Sequence, residues 1–283
     1  MPDGRTGAAM FDMHCHVLPG IDDGAPTLEA ALALAQALVD DGVSEVVATP
    51  HVFPGRFANW RSSIAEDHAR FVERLAQAGI PLKLHWAGEV RLTPEVLDLL
   101  AKDELPFLGQ LGGFRTLLLE MPDGQVPLGA LQFVRYLLKA RVRPVIVHPE
   151  RNREVMGNID KLRPLVEEGC FVQLTAGSLV GQFGARAQAT AAELVERCWV
   201  HAVASDAHNL SGRRPRMREA AAWITHHHGA AVARELTVLG PAGLCTNNEG
   251  VNSGVPGYPQ PVARDDPRFT PPHTSPYTPP YTP

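Results

Sequence analysis

Cysteine is scarce in this chain: four occur in 283 residues (Cys15, Cys170, Cys198 and Cys245). They are too few and too scattered for a disulfide framework. None forms a C-x-x-C pair, so the simplest reading is free thiols in a reducing compartment. Basic charge is not in excess either. Lys and Arg number 26 against 31 Asp and Glu, a net charge of -5, which gives no reason to expect a nucleic-acid or anionic-membrane partner. A local basic pocket is still compatible with that sum. Long apolar runs are missing: no stretch approaches the roughly 20 residues of a membrane span. The opening MPDGRTGAAMFDMHCH has no apolar core of a secretory signal. The expectation is a cytoplasmic enzyme without direct membrane insertion.

The hydrophobic fraction of 45% and charged fraction of 20% are those of an ordinary globular chain. Ten of the 25 prolines fall in residues 251–283. That stretch has no apolar period and repeatedly lacks backbone donors, so it reads as a disordered or polyproline-like tail. Tyr258, Tyr277 and Tyr281 within it read as solvated. The expected organisation is one folded domain over 1–250 and a Pro-rich tail over 251–283.

Within 1–250, extended and helical patterns alternate. Runs such as VSEVVAT, RTLLLEM, RPVIVH and CFVQL are dense in β-branched and apolar residues, as suits parallel strands covered on both faces. Strand ends fall near Asp12, Thr49, Gly88, Met121, Val147, Thr175 and Ser205. Helical patterns cover 28–40, 64–78, 94–102, 128–139, 159–168, 185–197, 214–227 and 230–239. Glycines at DDG (40–42), AGI (78–80) and EEG (167–169) fit left-handed helix caps. Seven strands alternating with helices argue for a single α/β domain, as a barrel or an open sheet.

The chemistry-bearing residues gather at the strand ends. DMHCH supplies His14 and His16, and the following loop Asp22 and Asp23. ATPH supplies His51, AGE Glu89, LLLEM Glu120, VIVHPER His148, Glu150 and Arg151, and ASDAH Asp206 and His208, with Arg213 beyond. Only strand six, ending QLTAGS, contributes no imidazole or carboxylate. In parallel barrels the C-terminal strand ends share one rim, where catalytic residues accumulate. Imidazoles with carboxylates ligate Mn, Fe, Zn or Co, and the count exceeds what one ion needs, so two or three divalent ions are implied. Such clusters activate water and offset charge on a phosphoryl group. Alternation along a strand lets His14 and His16 converge while Cys15 points elsewhere. His68, His85, His201, 226–228 and His273 lie away from strand ends and read as structural or exposed.

The segments DMHCHVLPGIDDGAPTLEAAL, ATPHV, AGEV, VIVHPERNREV and ASDAHNLSGRRP resemble the bacterial polymerase-and-histidinol-phosphatase (PHP) superfamily. Within it they are most similar to the manganese-dependent tyrosine-protein phosphatases of capsule and exopolysaccharide synthesis. The resemblance spans residues 11–239. It implies a distorted (β/α)7 TIM-like barrel, the PHP fold, with up to three ions, Mn2+ first among the candidates. Carried over by motif, one ion takes His14, His16, Glu89 and Asp206. Glu89 bridges to a second held by Glu120 and His148, and a third takes Asp23, His51 and His208. Arg151 and Arg213 are implied to bind the substrate phosphate, consistent with guanidinium forks that match phosphate oxygens. The implied substrate is phosphotyrosine on a protein, the tail of a bacterial tyrosine autokinase. The resemblance leaves a homo-oligomer open.

A cysteine-dependent phosphatase fails on spacing: Ile21, Ala176, Ala204 and Val251, not arginine, stand six residues beyond the four cysteines. A histidinol-phosphatase-like small-molecule enzyme, or a non-catalytic metal-binding scaffold, stay as rivals. No general acid is assigned, and a phenolate leaving group of pKa about 10 has little need of one.

Overall fold

The computed structural model describes residues 9–246; the Pro-rich tail over 251–283, with Tyr258, His273, Tyr277 and Tyr281, lies outside the described residues. Ten strands run in chain order: β1 Met10–Cys15, β2 Val43–Ala48, β3 His51–Val52, β4 Lys83–Trp86, β5 Glu89–Arg91, β6 Gly109–Leu111, β7 Phe114–Glu120, β8 Val142–Val147, β9 Phe171–Thr175 and β10 Ala202–Ala204. One sheet has the order β1-β2-β4 and the other β10-β9-β8-β7-β5-β3, with β6 folded antiparallel on β7. Every other pairing is parallel.

Seven wall positions emerge because β3 continues β2 and β5 continues β4 across short breaks. Thr49 and Pro50 interrupt one strand opposite Ala87 and Gly88 in its neighbour. Pro50 has no N–H to give the ladder, yet its carbonyl accepts from Glu89 N at 3.1 Å, and Ala48 O accepts from Ala87 N at 2.9 Å. The breaks therefore fall in register and divide one wall into two sheets. The wall closes where the end of β10 meets β1, with Asp206 N donating to His14 O (2.8 Å) and His16 N to Ala207 O (2.9 Å). The result is the distorted (β/α)7 barrel that the sequence resemblance implies.

Burial separates two cores. Phe11, Met13, Val47, Leu118, Val145, Val147, Ala202 and Ala204 pack inside the barrel, while a larger cluster joins the strands to the surrounding helices. Helix Leu28–Asp40 shows why such a segment docks. Thr27 caps it by accepting from Ala30 N, and Ala31, Leu34, Ala35 and Leu38 form one buried stripe against the wall. The glycines expected to end three helices, Gly42, Gly79 and Gly169, do so at φ +95, +67 and +94.

Two helix expectations need correction. The segment expected at 159–168 is a short 3-10 turn, Ile159–Lys161, then helix Arg163–Glu167, because Pro164 fits only the first helical turn. The one expected at 230–239 is helix Ala230–Arg234 relaxing into a π turn, Glu235–Leu239. The chain then continues into Gly240–Leu244, which the sequence did not suggest. Leu244 and Cys245 join the inner core, and Thr116 Oγ1 donates to Leu244 O at 2.8 Å. Gly109 permits this close approach, since a Cβ there would lie 2.7 Å from the Cys245 carbonyl carbon. The segment therefore plugs the barrel at the N-terminal ends of its strands. No helix among the described residues is long and apolar enough to cross a membrane.

Candidate metal centre

β1 delivers two imidazoles through an irregularity. Asp12 pairs with Val46 and Cys15 with Ala48, so β1 carries one residue more than β2 between those pairs. This bulge lets Met13 fill the inner core while His14 still turns to the rim. Asp12 secures it from below: its Oδ1 accepts from Ser205 N (2.9 Å) and His14 N (3.3 Å). Alternation beyond the bulge brings His14 and His16 together, Nε2 to Nε2, at 3.2 Å.

Partners on the far side of each ring fix which nitrogen is free. His14 Nδ1 donates to Gln173 Oε1 (2.9 Å) and His16 Nδ1 to Asp22 Oδ2 (2.7 Å), so Nε2 is the nitrogen each ring turns toward the cluster. Glu89 Oε2 lies 3.3 Å and Asp206 Oδ1 3.4 Å from both nitrogens. These four side chains are buried, and Glu89 Oε2, Asp206 Oδ1 and the nearby His208 Nε2 have no hydrogen-bond partner. Buried acceptors aimed at one another are costly unless a cation or proton lies between them. The donor set is that of a divalent transition ion, and it fits.

From the sequence, Asp22 is simply an acid in the loop that follows the first strand. It has a definite task, accepting from His16 Nδ1, Gly24 N (2.9 Å) and His51 N (3.0 Å). Gly24 is needed because a Cβ there would lie 2.3 Å from His16 O. The turn thus folds directly onto the first histidine pair and presents Asp23 beyond it.

Three groups of ligand atoms converge: His14, His16, Glu89 and Asp206; His16, Asp23, His51 and His208; and His51, Glu89 and Glu120. Eight of the nine candidate ligands fall in them. The ninth, His148, touches the cluster through Glu89, with Nε2 2.6 Å from Oε1. This partition differs from the one the resemblance implies. His16 also faces the Asp23 group, and His51 lies between Asp23 (3.3 Å) and Glu89 (3.0 Å) rather than with Asp23 alone. His148 and Asp206 adopt left-handed backbone at φ 36 and 50. Such non-glycine conformations cost about 1–3 kcal/mol each and persist where surrounding structure enforces them.

The cluster sets its own protonation. Burial disfavours charge on His16, but Asp22 and the carboxylates of Asp206 and Glu89 outweigh it and hold its pKa well above that of free imidazole. Burial also opposes charge on His51, which Glu89 and Asp23 raise to about 10. Burial, then the charge of Glu89, lifts Glu120 to about 7. Burial dominates at His148 and His208, each lowered to about 4, with Arg151 and His16 respectively adding repulsion. Asp206 lies far below the carboxylate range because Arg151 and Arg213 overcome its burial.

Those arginines sit at the floor of an open cleft of about 520 Å3 above the cluster. Arg151 and Arg213 each place Nη2 on Asp206 Oδ2, at 2.8 and 2.7 Å. Arg91, not among the expected site residues, pairs with Glu120 at 3.0 Å. β9, which delivers no acid or histidine, supplies Gln173 behind His14. Its following turn holds Glu150, whose Oε1 accepts from Thr175 N (2.9 Å) and Ser178 Oγ (2.7 Å). Glu150 therefore braces the loop before Arg151 and does not enter the cluster. The histidines set aside in the sequence have other partners: His85 meets Glu45, His68 meets Leu84 O, His201 accepts from Val172 N, and His227 meets Trp223 O.

Barrel and cluster together define a parallel α/β protein whose C-terminal rim carries a His/Asp/Glu cluster fit for divalent metal. The chain belongs to the capsular polysaccharide synthesis CpsB/CapC family, whose model matches residues 10–245. It is 38% identical over 228 residues to tyrosine-protein phosphatase YwqE of Bacillus subtilis, covering 81% of this chain and 89% of that one. It is 30% identical to tyrosine-protein phosphatase CpsB of Streptococcus pneumoniae, over 82% and 96% of the two chains. A solved structure from work on YwqE and CpsB, described as unique metal-dependent tyrosine phosphatases, superposes with a TM-score of 0.77 at 36% identity. That match covers 90% of this chain and all of the other. An organophosphorus hydrolase variant from Deinococcus radiodurans shares the fold alone, with a TM-score of 0.54 at 15% identity.

Proposed function

We propose that this chain is a metal-dependent phosphatase that hydrolyses phosphotyrosine on proteins. Its nine ligands would be His14, His16, Asp23, His51, Glu89, Glu120, His148, Asp206 and His208. The observation that carries this reading is the set of buried, unpartnered acceptors lying directly beneath two arginines. Divalent ions held there would supply a deprotonated water near neutral pH and offset charge on phosphoryl oxygens. Mn2+ in up to three positions fits the donor set, as do Fe, Zn and Co.

The chain's own groups divide the remaining work. Arg213 spends one Nη2 hydrogen on Asp206, while its buried Nε has no partner, a donor suited to a phosphate oxygen. Arg151 is braced by Phe183, with its guanidinium carbon 4.9 Å from the ring centroid, and by its contact with Asp206. Asp206 thereby orients both guanidinium groups while its other oxygen faces the imidazoles. Gln173 and Asp22 hold the proton on Nδ1 of His14 and His16, keeping Nε2 directed inward. The phenolate departs without a dedicated acid, its pKa being about 10.

The substrate we infer is the tyrosine-bearing tail of a bacterial autokinase that controls polysaccharide export in the cytoplasm. Phe53 and Phe57 on the cleft wall suit an aryl phosphate on a peptide better than a small alkyl phosphate such as histidinol phosphate. Protein stripped with EDTA should release no phosphate from a phosphotyrosyl peptide and regain activity with Mn2+. Faster turnover of histidinol phosphate than of peptide would replace the substrate assignment. Undiminished rates after stripping would overturn the metal mechanism, and no turnover even with Mn2+ restored would leave only a scaffold role.

A further inference from the structure

The cleft carries more positive charge than the phosphate requires. Five arginines line it: Arg56, Arg91, Arg151, Arg153 and Arg213. Three are committed to carboxylates of the centre, Arg151 and Arg213 to Asp206 and Arg91 to Glu120. Arg56 and Arg153 are different. Both are exposed, and neither forms an ion pair with another described residue. They stand on separate elements. Arg56 belongs to the tight turn at 53–57, where Phe57 N donates to Phe53 O at 2.8 Å, and Arg153 opens the helix Arg153–Gly157.

Neither residue is placed at random on a flexible loop. Phe57 stacks on His51 with centroids 5.4 Å apart and planes at 10°, and the Arg56 guanidinium lies 4.9 Å from the Phe57 centroid. The turn is thus tied to a candidate metal ligand. On the other side, Arg153 N donates to Asp123 O at 2.8 Å, and Asn152 caps the helix through Glu154 N and Val155 N. Two anchored elements hold uncommitted guanidinium groups over one cleft in a chain whose net charge is -5.

We propose that Arg56 and Arg153 read acidic side chains flanking the phosphotyrosine, so that the substrate is an acidic phosphotyrosyl peptide. This rests on the phosphatase reading above and deepens it. The phosphate dianion is met on the cleft floor by Arg151 and Arg213. Arg56 and Arg153 are the exposed arginines of the same cleft, and their charge complements carboxylates on the peptide that carries the phosphotyrosine. Exposed pairs of this kind are individually weak and screened by salt, so they act on peptide capture and selectivity rather than on the chemical step.

The test compares kcat/KM of Mn2+-loaded full-length protein on two phosphotyrosyl peptides, one flanked by Asp and Glu and a matched one flanked by Asn and Gln. The acidic peptide should be preferred about three- to tenfold at low salt, through KM, with the ratio shrinking as salt rises. In R56Q/R153Q the ratio should fall toward one. In R56E/R153E it should invert in favour of a Lys-flanked peptide, an outcome that general damage to the fold does not produce. Equal wild-type rates on the two peptides, or a preference that survives both double variants, overturns the inference while leaving the phosphatase reading intact. No turnover on any phosphotyrosyl peptide overturns both.

Discussion

At the N-terminal mouth of the barrel, Leu244, Cys245 and Leu108 close the interior with apolar groups, and Thr116 Oγ1 finds an acceptor in Leu244 O. At the C-terminal mouth, Glu89 Oε2, Asp206 Oδ1 and His208 Nε2 are buried and unpartnered within the same wall of strands. One end lowers the free energy of the fold by burying apolar surface and satisfying its polar atoms. The other gathers acceptors whose contacts are unfavourable unless a cation or a proton lies between them, and holds two residues in left-handed backbone. Stability and chemistry are thus separated along the barrel axis.

The largest test of that separation is a pair of substitutions. Asp206→Asn keeps the side chain's shape but removes the charge that faces two imidazoles and orients two arginines. It should lower kcat by about a thousandfold, in the range seen for loss of a preorganised electrostatic group, with little loss of thermal stability. Leu244→Ala should do the reverse, costing about 2–5 kcal/mol in unfolding free energy with kcat of the folded fraction retained. Phosphate release and chemical denaturation read the two effects. If Leu244→Ala lowered kcat as far as Asp206→Asn does, the two mouths would not be independent.

Gln173→Leu sharpens the comparison by acting one step behind the cluster. It removes the acceptor for His14 Nδ1–H and frees that ring to rotate or change tautomer. Metal affinity should fall about 10- to 100-fold, as for other groups that orient a ligand from behind. Leucine matches the volume removed, so the loss of stability should be confined to about 1–3 kcal/mol for the unpaired His14 N–H. A metal titration followed by elemental analysis measures this. Unchanged affinity would mean that packing alone, and not the amide, fixes the ring.

How much of this was legible in the sequence differs between the two ends. Strand-end acids and histidines stand out because charged groups seldom close an apolar β-branched run without a purpose, so His51, Glu120 and Asp206 could be read directly. The pairing of His14 with His16 followed from alternation. The bulge that also sends Met13 inward could not be read, because it depends on register with β2. Gln173 gave no signal because a neutral amide in CFVQLT looks like any strand polar residue, and its task appears only when barrel closure through β10 brings its side chain to His14 on β1. The plug was hidden for a similar reason. GPAGLC has no helical period, and its burial is decided by Gly109, far away in the chain.

The least disruptive probe is the proton. Without a cation, His16 has a raised pKa, Glu120 sits at about 7 and His51 at about 10, so near neutrality these groups hold protons where a cation must bind. Binding must expel them, and affinity should therefore rise with pH, by about tenfold per unit for each proton displaced. His148 and His208, lowered to about 4, are already neutral above pH 5 and add nothing to the slope there. The contribution of Glu120 should fade above pH 7, while those of His16 and His51 persist. Calorimetric titration of Mn2+ in buffers of different ionisation enthalpy counts the protons directly. A proton count of zero between pH 6 and 8 would show that the buried acceptors await the ion unprotonated, and the C-terminal mouth would then carry even more electrostatic strain than its contacts imply.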